Sequence, residues 1–316
     1  MAQITFSQEL KEELLHIELE SEKLRKIELV ATLKAVGILN FNGSNMSIDI
    51  RTSFAHLAKR VFKSIKDFYP NASLQTIVQR AVKFKREVNV YIVRVNLVVP
   101  EMLFDLGLIN NPNPGMIFGL NSIIDRLVTE EEKSVYIRTF FICSGSVNNP
   151  HKNKQYHLEI VGQNKTYLEE IQKMLMPFEI EMKMSKRKNN YPLYINKSEE
   201  IADFLKFIGS RSLLFEFEDV RIMRDFRSAS NRMNNAEIAN EAKQMAASLK
   251  QIKAIDKLKE YEHFEKLSDK AKQVANLRLE NPDSTLSELS EITNGEISKS
   301  NLSHHLRTIV KKAEEL

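Results

Sequence analysis

Two stretches decide how this chain folds: IELVATLKAVG at residues 27–37 and VYIRTFFICSG at residues 135–145. Each is apolar around most of a helical wheel and closes on a glycine, so each predicts a buried helix ending at Gly37 or Gly145. The patterns beyond the two glycines match. After Gly37 come strand-like runs at 38–41 and 46–50, separated by Asn42, Gly43 and Ser44. An amphipathic helix at 54–68 is stopped by Pro70, and alternating β-rich runs occupy 74–84 and 88–98. After Gly145 come strand-like runs at 146–149 and 156–161, a helix at 166–176 stopped by Pro177, strands at 179–185 and 193–195, and a helix at 198–208. A repeated order of this kind predicts two pseudo-symmetric αββαββα halves.

Working outward, residues 109–120 contain Asn111, Pro112, Asn113, Pro114 and Gly115, the strongest loop signal in the chain. They predict a linker between halves at about 1–108 and 121–220. The pattern turns wholly helical near Phe217–Arg221, which sets a domain boundary after residue 220. The expected class is α+β: a duplicated domain at 1–220, a basic segment and connecting helix at 221–262, and an all-α domain at 263–316. In the helix expected at 236–258, Ile238, Met245, Leu249 and Ile252 form one apolar stripe. That stripe suits a helix packed on a neighbouring domain as well as a free connector.

The C-terminal region reads as a helix-turn-helix. A helix at 269–280 ends at Asn281 and Pro282. Thr285 and Glu288 form a capping box for a second helix with Leu286, Leu289 and Ile292 on its apolar face. Asn294 and Gly295 make the turn, and Ser298 caps a third helix whose buried stripe is Leu302, Leu306, Ile309 and Val310. No acid occurs between Ile297 and Lys312, whereas Glu288, Glu291 and Glu296 precede them. That segregation favours phosphate contact through the third helix. The candidate DNA-binding residues are Ser298, Lys299, Ser300, Asn301, Ser303, His304, Arg307 and Lys311. A second candidate group, Arg224, Arg227, Asn231 and Arg232, lies in an Arg- and Asn-rich segment. It fits phosphate contact and a solvated, salt-bridged face (with Glu216, Glu218, Asp219 and Asp225) equally well.

Charge and cysteine content narrow the rest. A formal net charge of +4 favours an anionic partner only weakly, so the location of the charge matters more. Cys143 is the single cysteine, which excludes an intramolecular disulfide and a cysteine-based zinc site. The N-terminus is charged at helical spacing, unlike a signal peptide, and no apolar run reaches membrane-spanning length. A cytoplasmic, nucleoid-associated monomer without cofactor or metal is expected. There is no phosphate-loop, dinucleotide or HExxH motif. His151 and His157 read as polar loop and strand residues, Cys143 as a small core residue, and the pair His304 and His305 as surface polarity.

These residues together resemble the WhiA family of sporulation and cell-division regulators, over nearly the whole length. The marks are YIRTFFICSGSVNNP at 136–150, YHLEI at 156–160, IADFL at 201–205, the segment 221–240, and ISKS at 297–300 with His304, Leu306 and Arg307. Asn301 and His305 depart from the family's usual glycine and arginine, which bears on DNA sequence preference rather than fold. The resemblance implies a LAGLIDADG homing-endonuclease-like N-terminal domain, a DNA-binding helix-turn-helix, and roles in gene regulation, cell division and chromosome segregation. Active LAGLIDADG enzymes carry an acid just before each helix-ending glycine to hold metal over the scissile phosphates. Here those positions are Val36 and Ser144, neither of which is an ionised oxygen ligand. No catalytic residue is therefore assigned, and the glycines are expected to serve close helix packing. Double-stranded DNA is the expected partner, with other regulatory or division proteins besides. The leading reading is a transcription factor; a structural nucleoid or scaffolding protein, and an active nuclease or RNA maturase, are the alternatives.

Overall fold

A computed structural model describes residues 4–42, 45–83, 86–113 and 120–316. The turn expected at Gly43 and Ser44, Phe84 of the 74–84 run, and the linker around Pro114 and Gly115 lie outside them. The chain forms two compact units, Met1–Met223 and Arg224–Leu316.

The first unit opens with α1 (Phe6–Leu15), where Thr5 and Gln8 form a capping box. The first copy follows as α2 (Glu22–Val36), β1 (Gly37–Asn42), β2 (Asn45–Thr52), α3 (Ala55–Phe68), β3 (Ser73–Lys83), β4 (Arg86–Asn96) and α4 (Val99–Asp105). The second copy is α5 (Glu130–Ser144), β5 (Gly145–Val147), β6 (Leu158–Gly162), α6 (Lys165–Leu175), β7 (Lys183–Met184), β8 (Tyr191–Ile195) and α7 (Ser198–Phe207). The two sheets have the same order, β1-β2-β4-β3 and β5-β6-β8-β7, with every pair antiparallel. The αββαββα duplication read from the sequence is thus present. Helices α2 and α5 pack on each other more extensively than any other helix pair, and both halves share one apolar core.

Several boundaries differ for local reasons. Helix α2 starts five residues before the apolar run, because the Ser21 hydroxyl accepts the Leu24 N–H. Helix α5 starts at Glu130 because Thr129 and Glu132 form a capping box. Strand β4 stops at Asn96, where Leu97 and Val98 turn left-handed with φ of 59° and 46°. A β-branched residue at positive φ is costly, and α4 begins directly after it. The strand expected at 179–185 shrinks to β7, since Glu179 is left-handed with φ of 59°.

Helix α8 (Ser212–Glu260) carries the chain from the first unit into the second, so the change expected near Phe217–Arg221 falls inside one continuous helix. The second unit continues with α9 (Asp269–Glu280), α10 (Leu286–Ile292) and α11 (Lys299–Glu314). Its core joins Ala254, Ile255 and Leu258 of α8 to Val274, Leu289, Leu302, Leu306 and Ile309. The last turns of α8 are therefore a fourth helix of this bundle, whereas residues 225–243 are exposed. Packed helix and connector were both open readings of this stretch; Ile238, Met245 and Leu249 of the expected apolar stripe are exposed, and the packing is made instead by Ala254, Ile255 and Leu258.

Candidate nucleic-acid interface

Local chemistry fixes the turn between α10 and α11. The Thr285 hydroxyl accepts the Glu288 N–H at 3.0 Å and the Glu288 carboxylate accepts the Thr285 N–H at 2.7 Å, as the capping box requires. Asn294 and Gly295 both take positive φ, 51° and 81°. The Ser290 hydroxyl donates to the Ile297 carbonyl at 2.8 Å, and Ser298 accepts the Asn301 N–H at 3.4 Å to start α11. Leu302, Leu306, Ile309 and Ala313 are buried on one side of α11. On the other side Ser300, His304, Arg307 and Lys311 recur at spacings of four, three and four, so they form one exposed line. Asn301 is exposed on one flank of that line, with exposed Lys299 and half-buried Ser303 on the other. Ser298 is exposed at the cap. The His304 and His305 rings stack edge-on at 5.6 Å.

One residue of this unit escaped sequence reading. Arg278 is only 2% exposed, and one guanidinium nitrogen donates to the carbonyls of Asn281, Pro282 and Ser284, the last at 2.7 Å. It ties the end of α9 to the start of α10. Its burial lowers its pKa from the ordinary arginine value. The signal was a lone arginine in the apolar register of a helix just before Asn281 and Pro282.

The arginine segment separates by position on α8. Arg221 pairs with Glu218 at 2.6 Å and lies 3.7 Å from Glu199, which gives it a structural partner within the first unit. Arg224 is half-buried, while Arg227, Asn231 and Arg232 are exposed. The Arg232 guanidinium donates to the Ser228 hydroxyl at 2.9 Å, one turn away.

The helix ends of the first unit come together at a cavity that both Val36 and Ser144 line. The Ser144 hydroxyl donates back to the Phe140 carbonyl at 3.1 Å. The glycines have a different cause from the helix packing expected of them. A Cβ at Gly37 would meet the Leu33 carbonyl oxygen at 2.5 Å, and one at Gly145 the Phe141 carbonyl oxygen at 2.8 Å. The close approach is to each helix's own last turn, where the chain leaves α2 for β1 and α5 for β5. Beside Val36, the ammonium of Lys34 is buried. It donates to Glu170 at 2.8 Å and to the Asn121 carbonyl at 3.1 Å, and lies over the Tyr167 ring at 4.3 Å. Burial lowers the Lys34 pKa, and Glu170 opposes that shift. Sequence reading missed this pair; a lysine inside the apolar run 27–37 was its signal.

The remaining candidates resolve plainly. His151 contacts Glu216 at 2.9 Å, and His157 contacts Asn196 at 2.7 Å. Burial pushes the Cys143 thiol up to about 12, so it stays protonated and unreactive at neutral pH. Among the described residues no group of three His, Cys, Asp or Glu side chains could hold a metal ion, and no helix is long and apolar enough to cross a membrane.

Comparison with known proteins agrees with this architecture. Residues 22–109 match the WhiA N-terminal LAGLIDADG-like domain, residues 133–227 the WhiA LAGLIDADG-like domain, and residues 230–313 the WhiA C-terminal HTH domain. The chain is 35% identical over 314 residues to a Staphylococcus epidermidis protein named "Probable cell division protein WhiA", covering 99% of this chain and 98% of that one. It is 36% identical over 316 residues to the protein of the same name from Listeria monocytogenes, covering 99% and 95%. The crystal structure of full-length DUF199/WhiA from Thermatoga maritima is similar across 99% of both chains, with a TM-score of 0.58 and 26% identity.

Proposed function

The chain belongs to the WhiA family, and from that premise we propose that it is a DNA-binding transcription factor acting in cell division and chromosome segregation. The observation that carries this reading is α11: a helix held by a capped turn, buried on its apolar side, with Ser300, His304, Arg307 and Lys311 in one acid-free exposed line. A helix so placed in a helix-turn-helix lies in the major groove with its first turn nearest the bases. Lys299, Ser300 and Asn301 then read base edges, while Arg307 and Lys311 neutralise phosphates. Arg224, Arg227, Asn231 and Arg232 add backbone contacts from α8.

The LAGLIDADG-like domain serves here as a scaffold that does not cut. Two-metal phosphodiester hydrolysis needs anionic oxygen ligands at the helix ends, and Val36 and Ser144 supply no carboxylate. Glu170, the acid next to this centre, is neutralised by Lys34. The protein works in the cytoplasm on the nucleoid, as a monomer, with regulatory and division proteins as further partners and with sporulation among the processes it serves.

A genome-wide crosslinking map of bound sites tests the reading. Sharp peaks sharing a sequence motif are expected. Diffuse coverage without a motif would replace the transcription factor with a structural chromosome-binding protein.

A further inference from the structure

We propose that the cavity between the ends of α2 and α5 binds a small phosphorylated ligand of nucleotide size. Its volume is about 530 Å³, within the range of small-molecule sites and larger than inorganic phosphate needs. One wall comes from the first half, with Lys34, Gly37 and Arg51. The other comes from the second half, with Ser144, the turn Gly162 to Asn164, and Asn190. Among the described residues no Asp or Glu lines it. A divalent cation would find no carboxylate ligand there, and the side chains with formal charge on its walls are cations.

Arg51 is the residue positioned to grip that anion. The nearly buried Asp49 carboxylate is already held by both arms of Arg94, at 2.6 and 2.8 Å. Arg51 is left 3.6 Å away with its side chain half exposed. Two guanidinium groups share one carboxylate, so one positive charge is uncompensated at the cavity wall. Lys34 contributes differently: Glu170 and the Asn121 carbonyl hold it fixed, and it adds little net charge. Helix α6 begins at this wall, where Asn164 caps it by accepting the Thr166 N–H at 3.0 Å. Its first-turn amides favour phosphate over a neutral ligand. Gln163 and Asn190 supply neutral donors, and Tyr167 with Phe140 gives an aromatic surface for an organic body. A guanidinium fork, a helix N-terminus and an aromatic wall around a space of this size match a nucleoside phosphate better than a carboxylate metabolite.

Calorimetric titration of the full chain with ADP, pyrophosphate and adenosine tests this. ADP is expected to bind saturably with Kd below about 1 mM, and adenosine is not. Arg51→Gln should weaken ADP at least about tenfold, the loss of a charge-assisted contact. Gln163→Glu, an exposed position on the opposite wall, should do the same by repulsion. Lys270→Gln, at an exposed position on α9 in the other unit, should leave ADP affinity unchanged, and thermal melting should show all three variants folded. Absence of saturable ADP and pyrophosphate binding overturns the proposal, as does an ADP affinity unaltered by both cavity variants or lost in Lys270→Gln. If the free phosphates fail to bind while Arg51→Gln loses affinity for duplex DNA, the cavity seats a DNA backbone phosphate and the small-ligand assignment is wrong.

Discussion

Leu306 and Arg307 are neighbours in sequence on opposite sides of α11, and replacing each by alanine separates folding from recognition. Leu306 is fully buried against the small core of the second unit. Truncating such a leucine costs about 2–5 kcal/mol, the lost transfer energy plus the cavity left behind. A unit of this size is stable by only about 5–10 kcal/mol, and much of α8 adds no buried surface to it. Leu306→Ala should therefore lower the melting temperature by about 10 °C or more and weaken binding to every DNA sequence. Arg307 is exposed, so its removal should change stability by less than about 0.5 kcal/mol. If it neutralises one phosphate, Arg307→Ala flattens the log–log salt dependence of binding by about 0.9 and weakens all sequences alike. If it reaches a base edge, the cost is about 1–3 kcal/mol on the bound site and little on scrambled DNA. The assay titrates each variant on a crosslinked site and on its scrambled version at several salt concentrations, with thermal melting alongside. A folded Arg307→Ala with unchanged affinity and salt slope on both DNAs would remove α11 from the interface. The same holds for Lys299→Ala and Asn301→Ala if both keep the full specificity ratio.

Three further outcomes are expected. Purified protein should leave plasmid and duplex DNA intact with magnesium or manganese; metal-dependent cutting that survives Glu170→Gln and loss of the other nearby acids would contradict both Val36 and Ser144 as the reason. Arg227→Ala and Arg232→Ala should each reduce the salt slope by about 0.9 without changing sequence preference, and an unchanged slope would assign these exposed arginines to α8 itself. Arg94 holds the Asp49 carboxyl below its ordinary 3.8, so this pair stabilises the first unit above that pH and the contribution disappears as pH falls through the folded value. Asp49→Asn should flatten the acid limb of the first unit's pH–stability curve, and an unaltered limb would show that the pair carries no linkage.

How much of this was legible depends on the range over which each signal acts. The repeat was readable because α2 and α5 are apolar around their circumference and each must leave its last turn through a glycine. The helix caps at Thr285 and Ser298 were readable because they span three residues. Helix α4, the left-handed break at Leu97 and Val98, and the shortening of β7 were not, because backbone turning at a non-glycine residue leaves no mark in composition. The same division runs through the sites. The exposed line Ser300, His304, Arg307 and Lys311 on α11 was nameable from periodicity, since a helix face is a local property. Arg278, Lys34 with Glu170, and Arg51 with Asp49 and Arg94 were not, since each depends on a partner elsewhere in the fold. This explains why the vacant acid positions at Val36 and Ser144 read as a simple loss. Only their neighbours, gathered from β2, α6 and the β7–β8 turn, show that the cavity at the two helix ends carries one net positive charge, from Arg51, beside a Lys34 that Glu170 already balances. The α2–α5 seam itself holds buried Glu28, Thr32 and Thr139 among its apolar side chains, so polarity alone does not single this cavity out. What does is open volume beside that one charge and a helix N-terminus, the features on which the proposed anion site rests.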